Sequence, residues 1–169
     1  MRRPLAPLLV AALALAPLTL TAQAASDPAT GPFAPLAFLA GSCWQGTFPD
    51  GKATDEHCFE WAYDGAFLRD RHVVRPGTYQ GETLYAADRK TGALSFTYWN
   101  SVGQVMTGTV ETRGDTLRFP QRTEGPDGPV EILSTWTRPG PDRYRVEVTQ
   151  TSGGATKVLW TMELRRRPS

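Results

Sequence analysis

From Ser42 to the C-terminus the chain is written in period two. Short runs of β-branched and aromatic residues alternate with polar ones, and turn residues interrupt them every ten to twelve positions. Alternation of this kind puts successive side chains on opposite faces of a strand, so it excludes a helical domain. The predicted strands are Ser42–Phe48, Ala53–Trp61, Ala66–Val74, Tyr79–Ala87, Ala93–Asn100, Gln104–Thr112, Thr116–Pro120, Val130–Arg138, Arg143–Thr151 and Thr156–Leu164. Between them stand Pro49-Asp50-Gly51-Lys52, Tyr63-Asp64-Gly65, Pro76-Gly77, Arg113-Gly114-Asp115 and Ser152-Gly153-Gly154, and Glu124 to Pro129 reads as a Gly/Pro loop. Ten strands joined by hairpins make an up-and-down meander. Left open, the meander would present two long unpaired edges. Closed on itself it is an all-β, ten-stranded antiparallel barrel wide enough to hold one small ligand. A two-sheet sandwich is the rival architecture.

The N-terminus follows a different rule. Arg2 and Arg3 precede an apolar stretch from Leu5 to Leu20, and Ala22-Gln23-Ala24 has the small-x-small pattern read by signal peptidase. The expected organisation is a cleaved signal peptide over 1–24, a leader and short helix over 25–40, and the barrel over 41–169. Phe33–Ala40 (FAPLAFLA) suits one or two helical turns covering an opening of the core. Pro7 and Pro17 break the apolar stretch, which falls short of the ~20 residues of a membrane span. Stable membrane insertion is therefore not expected, an uncleaved anchor being the alternative, and the expected location is periplasmic or secreted. Without Arg2 and Arg3 the chain keeps 16 of its 18 basic residues against 17 acidic ones. Neither sign dominates, which argues against a nucleic-acid partner. The basic cluster Arg165-Arg166-Arg167 reads as a solvated tail.

Two cysteines, Cys43 and Cys58, suggest one disulfide in an oxidising compartment. The first hairpin tests the idea. Residues facing each other across it have numbers totalling 101, as do 43 and 58. Pro49 has no N–H, so the turn is better closed by Phe48 and Ala53. Counting outward, 43/58 is then a non-hydrogen-bonded pair, close enough for a disulfide that staples the hairpin. The same register places Trp44 and Phe48 on one face with His57, Phe59 and Trp61. Gln45, Thr47, Glu56 and Glu60 share the other face with the cysteines. The aromatic face should point inward.

Signatures of chemistry are sparse. His57 and His72 are the two histidines; neither has a second His or Cys at a ligand interval, and there is no HExxH. No metal and no cofactor is expected. No G-x-S-x-G elbow occurs, and no catalytic residue is assigned. Glu56 with Glu60, or Asp55 with Asp70, could pair as acid and base, but strand carboxylates ordinarily face solvent. On the third strand Arg69 and Arg71 share a face with Phe67 and Val73; Tyr98 shares one with Phe96 and Asn100, and Trp136 with Ile132 and Ser134. Such mixtures suit the wall of a semi-polar pocket. Trp44, Phe59, Trp61, Phe67, Tyr98 and Trp136 are the candidate cavity residues, with His57, Arg69 and Arg71 as candidate polar contacts.

Pro35-Leu36-Ala37-Phe38-Leu39-Ala40-Gly41, followed by Trp44 and Gly46, resembles the opening of bacterial lipocalin-like (calycin-type) proteins of unknown function. Gly65-Ala66-Phe67-Leu68-Arg69, Tyr79-Gln80-Gly81, Ala87-Asp88 with Thr91-Gly92, Trp99-Asn100, Gly108 and Leu117 extend the likeness over most of the chain after the signal. The resemblance implies a barrel of about ten antiparallel strands around a small-molecule cavity. Cys43 displaces the tryptophan by one residue, which implies a local irregularity in the first strand. Nitrobindin-type haem proteins share a similar opening and hold iron through a histidine on a late strand. Lys157–Leu164 contains none, so haem binding by that route is not expected. The functional expectation is an exported barrel that binds a small, apolar or semi-polar molecule. Its rivals are a metal-independent isomerase- or lyase-type enzyme using His57 or Glu60 as a shifted acid or base, and a protein-interaction module with a packed interior.

Overall fold

Each turn signal in the sequence ends one strand and starts the next. The computed structural model describes residues 30–125 and 128–168; the signal peptide expected over 1–24 lies outside them. Among the described residues a short 3-10 turn, Ala34–Leu36, precedes ten strands: β1 (Ser42–Thr47), β2 (Thr54–Ala62), β3 (Phe67–Arg75), β4 (Gln80–Ala87), β5 (Leu94–Asn100), β6 (Val105–Arg113), β7 (Thr116–Gly125), β8 (Gly128–Gly140), β9 (Arg143–Ser152) and β10 (Ala155–Arg166). Every strand pairs antiparallel with its chain neighbours. β1 closes the ring on β10 through Trp44↔Arg166, Gln45↔Arg165 and Gly46↔Leu164. The architecture is a closed barrel and not a sandwich. All ten predicted strands are present. The largest change is at β7 and β8, whose pairing runs on through Glu124↔Pro129 to Gly125↔Gly128. The strands therefore extend into the stretch read as a Gly/Pro loop, of which residues 126 and 127 lie outside the described residues.

The first hairpin has the predicted register. Phe48 N–H donates to the Ala53 carbonyl at 2.9 Å, closing a four-residue loop. Cys43 faces Cys58, their Cα atoms lie 4.0 Å apart, and a disulfide joins them. Pairing is continuous from Ser42↔Phe59 to Thr47↔Thr54, so the irregularity implied for β1 is absent. Cys43 takes an outward position and Trp44 the next inward one, which costs the strand no bulge. Register shifts fall instead between Val158 and Trp160 in β10 and between Thr137 and Gly140 in β8.

One end of the barrel is plugged. Leu36, Leu39 and Trp44 are fully buried beneath the 3-10 turn, and the Trp44 indole N–H donates to the Leu39 carbonyl at 3.3 Å. The Arg166 guanidinium lies 4.3 Å from the Trp44 ring centroid, where its cation–π attraction adds to packing. It also donates to the Phe38 carbonyl at 3.0 Å, to Asp142 at 3.1 Å and to Ser42 Oγ. The basic cluster at the C-terminus is therefore not a free tail. Arg166 latches the last strand to the plug, and Arg165 and Arg167 pair with Glu163 and Glu56. Among the described residues no helix is long and apolar enough to cross a membrane.

The disulfide closes a loop with a sequence separation of 15, for which the chain-entropy account gives about 3 kcal/mol. Urea unfolding of the Cys43→Ser/Cys58→Ser protein should show a loss of about 2–4 kcal/mol with unchanged far-UV circular dichroism. A loss below about 0.5 kcal/mol would show that the staple adds nothing to the closed barrel.

Candidate functional site

Alternation decides which side chains enter the barrel. On β2 Asp55, His57 and Phe59 point inward, and on β3 Leu68, Asp70, His72 and Val74 do. The β2–β3 register sets His57 directly opposite His72 and Phe59 opposite Asp70. The two imidazoles stack with ring centroids 4.7 Å apart, 13° from parallel.

A continuous polar network results. Asp55 accepts from His72 Nδ1 at 2.9 Å through Oδ1 and from His57 Nε2 at 3.2 Å through Oδ2. His57 Nδ1 donates to Asp70 Oδ2 at 2.8 Å. His72 Nε2 lies 3.0 Å from the Tyr98 hydroxyl, which lies 2.8 Å from that of Tyr79. Asn100 Nδ2 donates to Tyr79 at 3.1 Å and completes the chain. Asp55 is 6%, Asp70 2% and His72 7% exposed, a degree of burial that ionisable groups tolerate only when paired.

The geometry sets the proton positions. Ionised carboxylates only accept, so His57, held between two of them, donates from both ring nitrogens and is an imidazolium. Burial alone would push the His57 imidazole down, but the Asp70 and Asp55 carboxylates reverse this and raise it to about 10. Burial likewise pushes the Asp55 carboxyl up, and the two histidines more than reverse it, holding it well below the usual carboxylate range. Burial, reinforced by the Asp70 charge, pushes the Tyr85 and Tyr144 phenols well up. Burial, helped by the Tyr79 hydroxyl, raises Tyr98 too.

This network forms one wall of a cavity of about 530 Å³ inside the barrel. Phe96, Phe119, Ile132, Trp136, Val146 and Met162 supply apolar wall, and the cavity reaches Val74, Tyr79, Met106 and Trp160 at the end opposite the plug. Two buried polar atoms at its surface have no hydrogen-bond partner: Asp70 Oδ1 and the Tyr144 hydroxyl.

Gly81, opposite His72 on β4, makes room for the wall. A Cβ there would fall 2.6 Å from the Tyr98 hydroxyl and 2.7 Å from His72 Nε2. Those two groups meet because position 81 has no side chain.

The predicted site residues separate into three sets. His57, Tyr98 and Trp136 line the cavity. Trp44 and Phe59 are buried in the packed layers around it, and Trp61 packs edge-on against Phe33 with centroids 5.7 Å apart. Phe67, Arg69 and Arg71 are corrections: they occupy the opposite face of β3 from Leu68, Asp70 and His72. Phe67 packs on exposed Tyr63, and both arginines bind Glu60 Oε1 on the outer surface, at 2.7 and 2.8 Å. Asp55 and Asp70, read as solvated, are buried instead. Each face of β3 carries two apolar residues, so hydrophobicity does not set the phase. The ion pairs across the hairpin do: Asp and His are short enough to bond each other inside the barrel, whereas two guanidiniums would lie there unpaired.

The metal reading also changes. Asp55, His57 and His72 each present a ligating atom, and these atoms lie within 4.8 Å of one another. The absence of a ligand interval holds along the chain but not across the hairpin. The signal was available, because paired numbers across β2–β3 share one total, as they do across β1–β2, and 57 pairs with 72. Lys157–Leu164, which lacks the histidine of the haem route, contributes Trp160, Met162 and Leu164 to the cavity lining.

No protein-family model matches the chain, and no curated protein matches it either.

The charged wall predicts a pH profile for the ligand-free protein. His57, raised from 6.5 to about 10, contributes stability that is complete below about pH 6.5 and lost as pH rises through about 10. Asp55, lowered from 3.8, contributes stability that is complete above about pH 4 and lost on further acidification. Urea unfolding should therefore give greatest stability between about pH 4 and 6.5. His57→Gln should abolish the part of the alkaline decline that runs toward pH 10; an unchanged decline would show that His57 is not the charged partner of these carboxylates.

Proposed function

We propose that the protein is a small-molecule binder that encloses one largely apolar ligand in its barrel, with a polar end of the ligand on the Asp–His–Tyr wall. The observation that carries this reading is the cavity of about 530 Å³ with apolar walls and one concentrated polar face. That volume lies in the range of known ligand sites, and apolar lining with a few convergent polar groups is their usual composition. Asp70 Oδ1 and the Tyr144 hydroxyl support it further. A buried polar atom without a partner costs about 1–3 kcal/mol, and a ligand hydroxyl or amine would remove that cost. The likeness of the opening motif to lipocalin-like proteins points the same way. The apolar stretch Leu5–Leu20, the Ala22-Gln23-Ala24 site and the Cys43–Cys58 disulfide support export to the periplasm or beyond.

The enzyme reading draws on one observation: His57 sits inside the barrel with a strongly shifted pKa. Glu60, its other candidate, faces outward and is held by Arg69 and Arg71. An imidazolium between two carboxylates has no lone pair to accept a proton at neutral pH, so binding accounts for the wall better than general-base chemistry does. An interaction module would need no cavity, and the balanced charge gives no reason to invoke nucleic acid.

N-phenyl-1-naphthylamine, an apolar fluorophore, is a suitable probe. The unreduced protein should bind it with a blue-shifted emission. Ile132→Trp, which fills the cavity, should weaken binding at least tenfold while circular dichroism and melting temperature stay the same. Equal binding by the folded variant would place the probe elsewhere and remove the support for an internal site.

A further inference from the structure

We infer that Asp55, His57 and His72 form a binding site for a divalent first-row transition ion, open on one side to the barrel cavity. The inference goes beyond the small-molecule reading and does not depend on it.

Three observations meet at this point. The first is ligand placement. Asp55 Oδ1 stands 2.9 Å from His72 Nδ1, and Asp55 Oδ2 stands 3.2 Å from His57 Nε2. Ligands sharing one ion at about 2.0–2.2 Å lie roughly 3.0–3.5 Å from each other. Each imidazole nitrogen is already close to that separation from one oxygen of Asp55, and the ligating atoms of all three residues lie within 4.8 Å of one another on adjacent strands that fix their bases. The second is the support behind them. A histidine that ligates a metal through one nitrogen is normally held through the other by a carboxylate or another polar group. Here the remaining nitrogen of each ring has such a partner: His57 Nδ1 has Asp70 at 2.8 Å, and His72 Nε2 has Tyr98 at 3.0 Å. The Tyr79–Asn100 pair anchors Tyr98 in turn, and glycine at 81 leaves the room this requires.

The third observation is an unpartnered acceptor on the cavity wall. Asp70 is 2% exposed, yet its Oδ1 has no partner and the residue lines the cavity. A water or ligand group on the ion could donate to it. Charge fits as well: the ion takes the place of the proton between His57 Nε2 and Asp55, which is released to solvent, and two carboxylates, two neutral imidazoles and one divalent ion then sum to zero, the balance a low-dielectric interior favours. Two imidazoles and one carboxylate suit Zn²⁺, Fe²⁺, Co²⁺ or Mn²⁺ better than the all-oxygen shells of Ca²⁺ and Mg²⁺. Three protein ligands leave at least one position open to the cavity, the arrangement of sites where an exogenous molecule coordinates.

The test uses tag-free, unreduced protein, stripped with chelator, and the metal alone as probe. Titration with Co²⁺ should produce visible d–d bands that saturate at one ion per chain, and Zn²⁺ should displace them. Mg²⁺ and Ca²⁺ should not. His57→Gln and His72→Gln should each lower Zn²⁺ affinity at least a hundredfold. Asp70→Asn, a positioning change, should weaken affinity about 10–100-fold while keeping the Co²⁺ spectrum. X-ray absorption on the wild-type Zn²⁺ complex supplies a readout independent of variant folding and should show two imidazoles. Absence of one-to-one binding, affinity unchanged in folded His57→Gln and His72→Gln, or a shell without imidazole would each overturn the inference. Binding of N-phenyl-1-naphthylamine to the same stripped sample reports on the cavity, so failure of the metal site and failure of the ligand reading are separable.

Discussion

Everything inside this molecule depends on the pairing of β1 with β10. That ladder turns a ten-stranded meander, which would have two sticky edges, into a ring with none. Once the ring is closed, side-chain alternation acquires a fixed meaning: one face is interior, the other is surface. The plug at one end holds the closure. Arg166, on the last strand, stacks on Trp44 of the first strand and bonds to the Phe38 carbonyl of the segment that precedes it. Sequence-distant ends are thereby joined by packing, cation–π attraction and hydrogen bonds at a single point.

Closure also creates the chemical problem that defines the site. A ring of ten strands is wider than its own side chains fill, and the remaining space is lined mainly by aromatic and aliphatic groups. Into this apolar interior the chain places two carboxylates and two imidazoles. They are tolerable there because they satisfy one another. His57 bridges Asp55 and Asp70, His72 bonds Asp55 and Tyr98, and the stacked rings share one layer. Removing one member would leave its partner charged and unpaired, which is far costlier than the pair itself. Both imidazoles are therefore held through both ring nitrogens.

Much of this was legible in the sequence. The alternation and the turn residues specify all ten strands. The pairing arithmetic across the first hairpin puts Cys43 beside Cys58 and turns Trp44, His57 and Phe59 inward, as the structure has them. The site was less legible. Applied to the second hairpin, the same arithmetic pairs His57 with His72, but composition pulls the other way. Phe67 and Val73 beside Arg69 and Arg71 look as much like a pocket wall as Leu68 and Val74 beside Asp70 and His72. Only the partners across the ladder separate them, since Glu60 on the outer face takes both arginines while His57 on the inner face takes Asp70. Gly81 was invisible for another reason. Its contribution is the space it leaves beneath Tyr98 and His72, which no reading of a single strand reveals.

The central claim is that the Asp–His–Tyr wall faces an occupiable cavity and that the arginine face of β3 does not. Side-chain ¹⁵N NMR of the histidines and arginines, recorded while N-phenyl-1-naphthylamine is added, tests it most directly. The account predicts that the His57 and His72 ring resonances shift and saturate together as the probe binds, with the Arg69 and Arg71 Nε resonances unmoved. Shifts confined to the arginines, with both imidazoles silent at saturation, would contradict it.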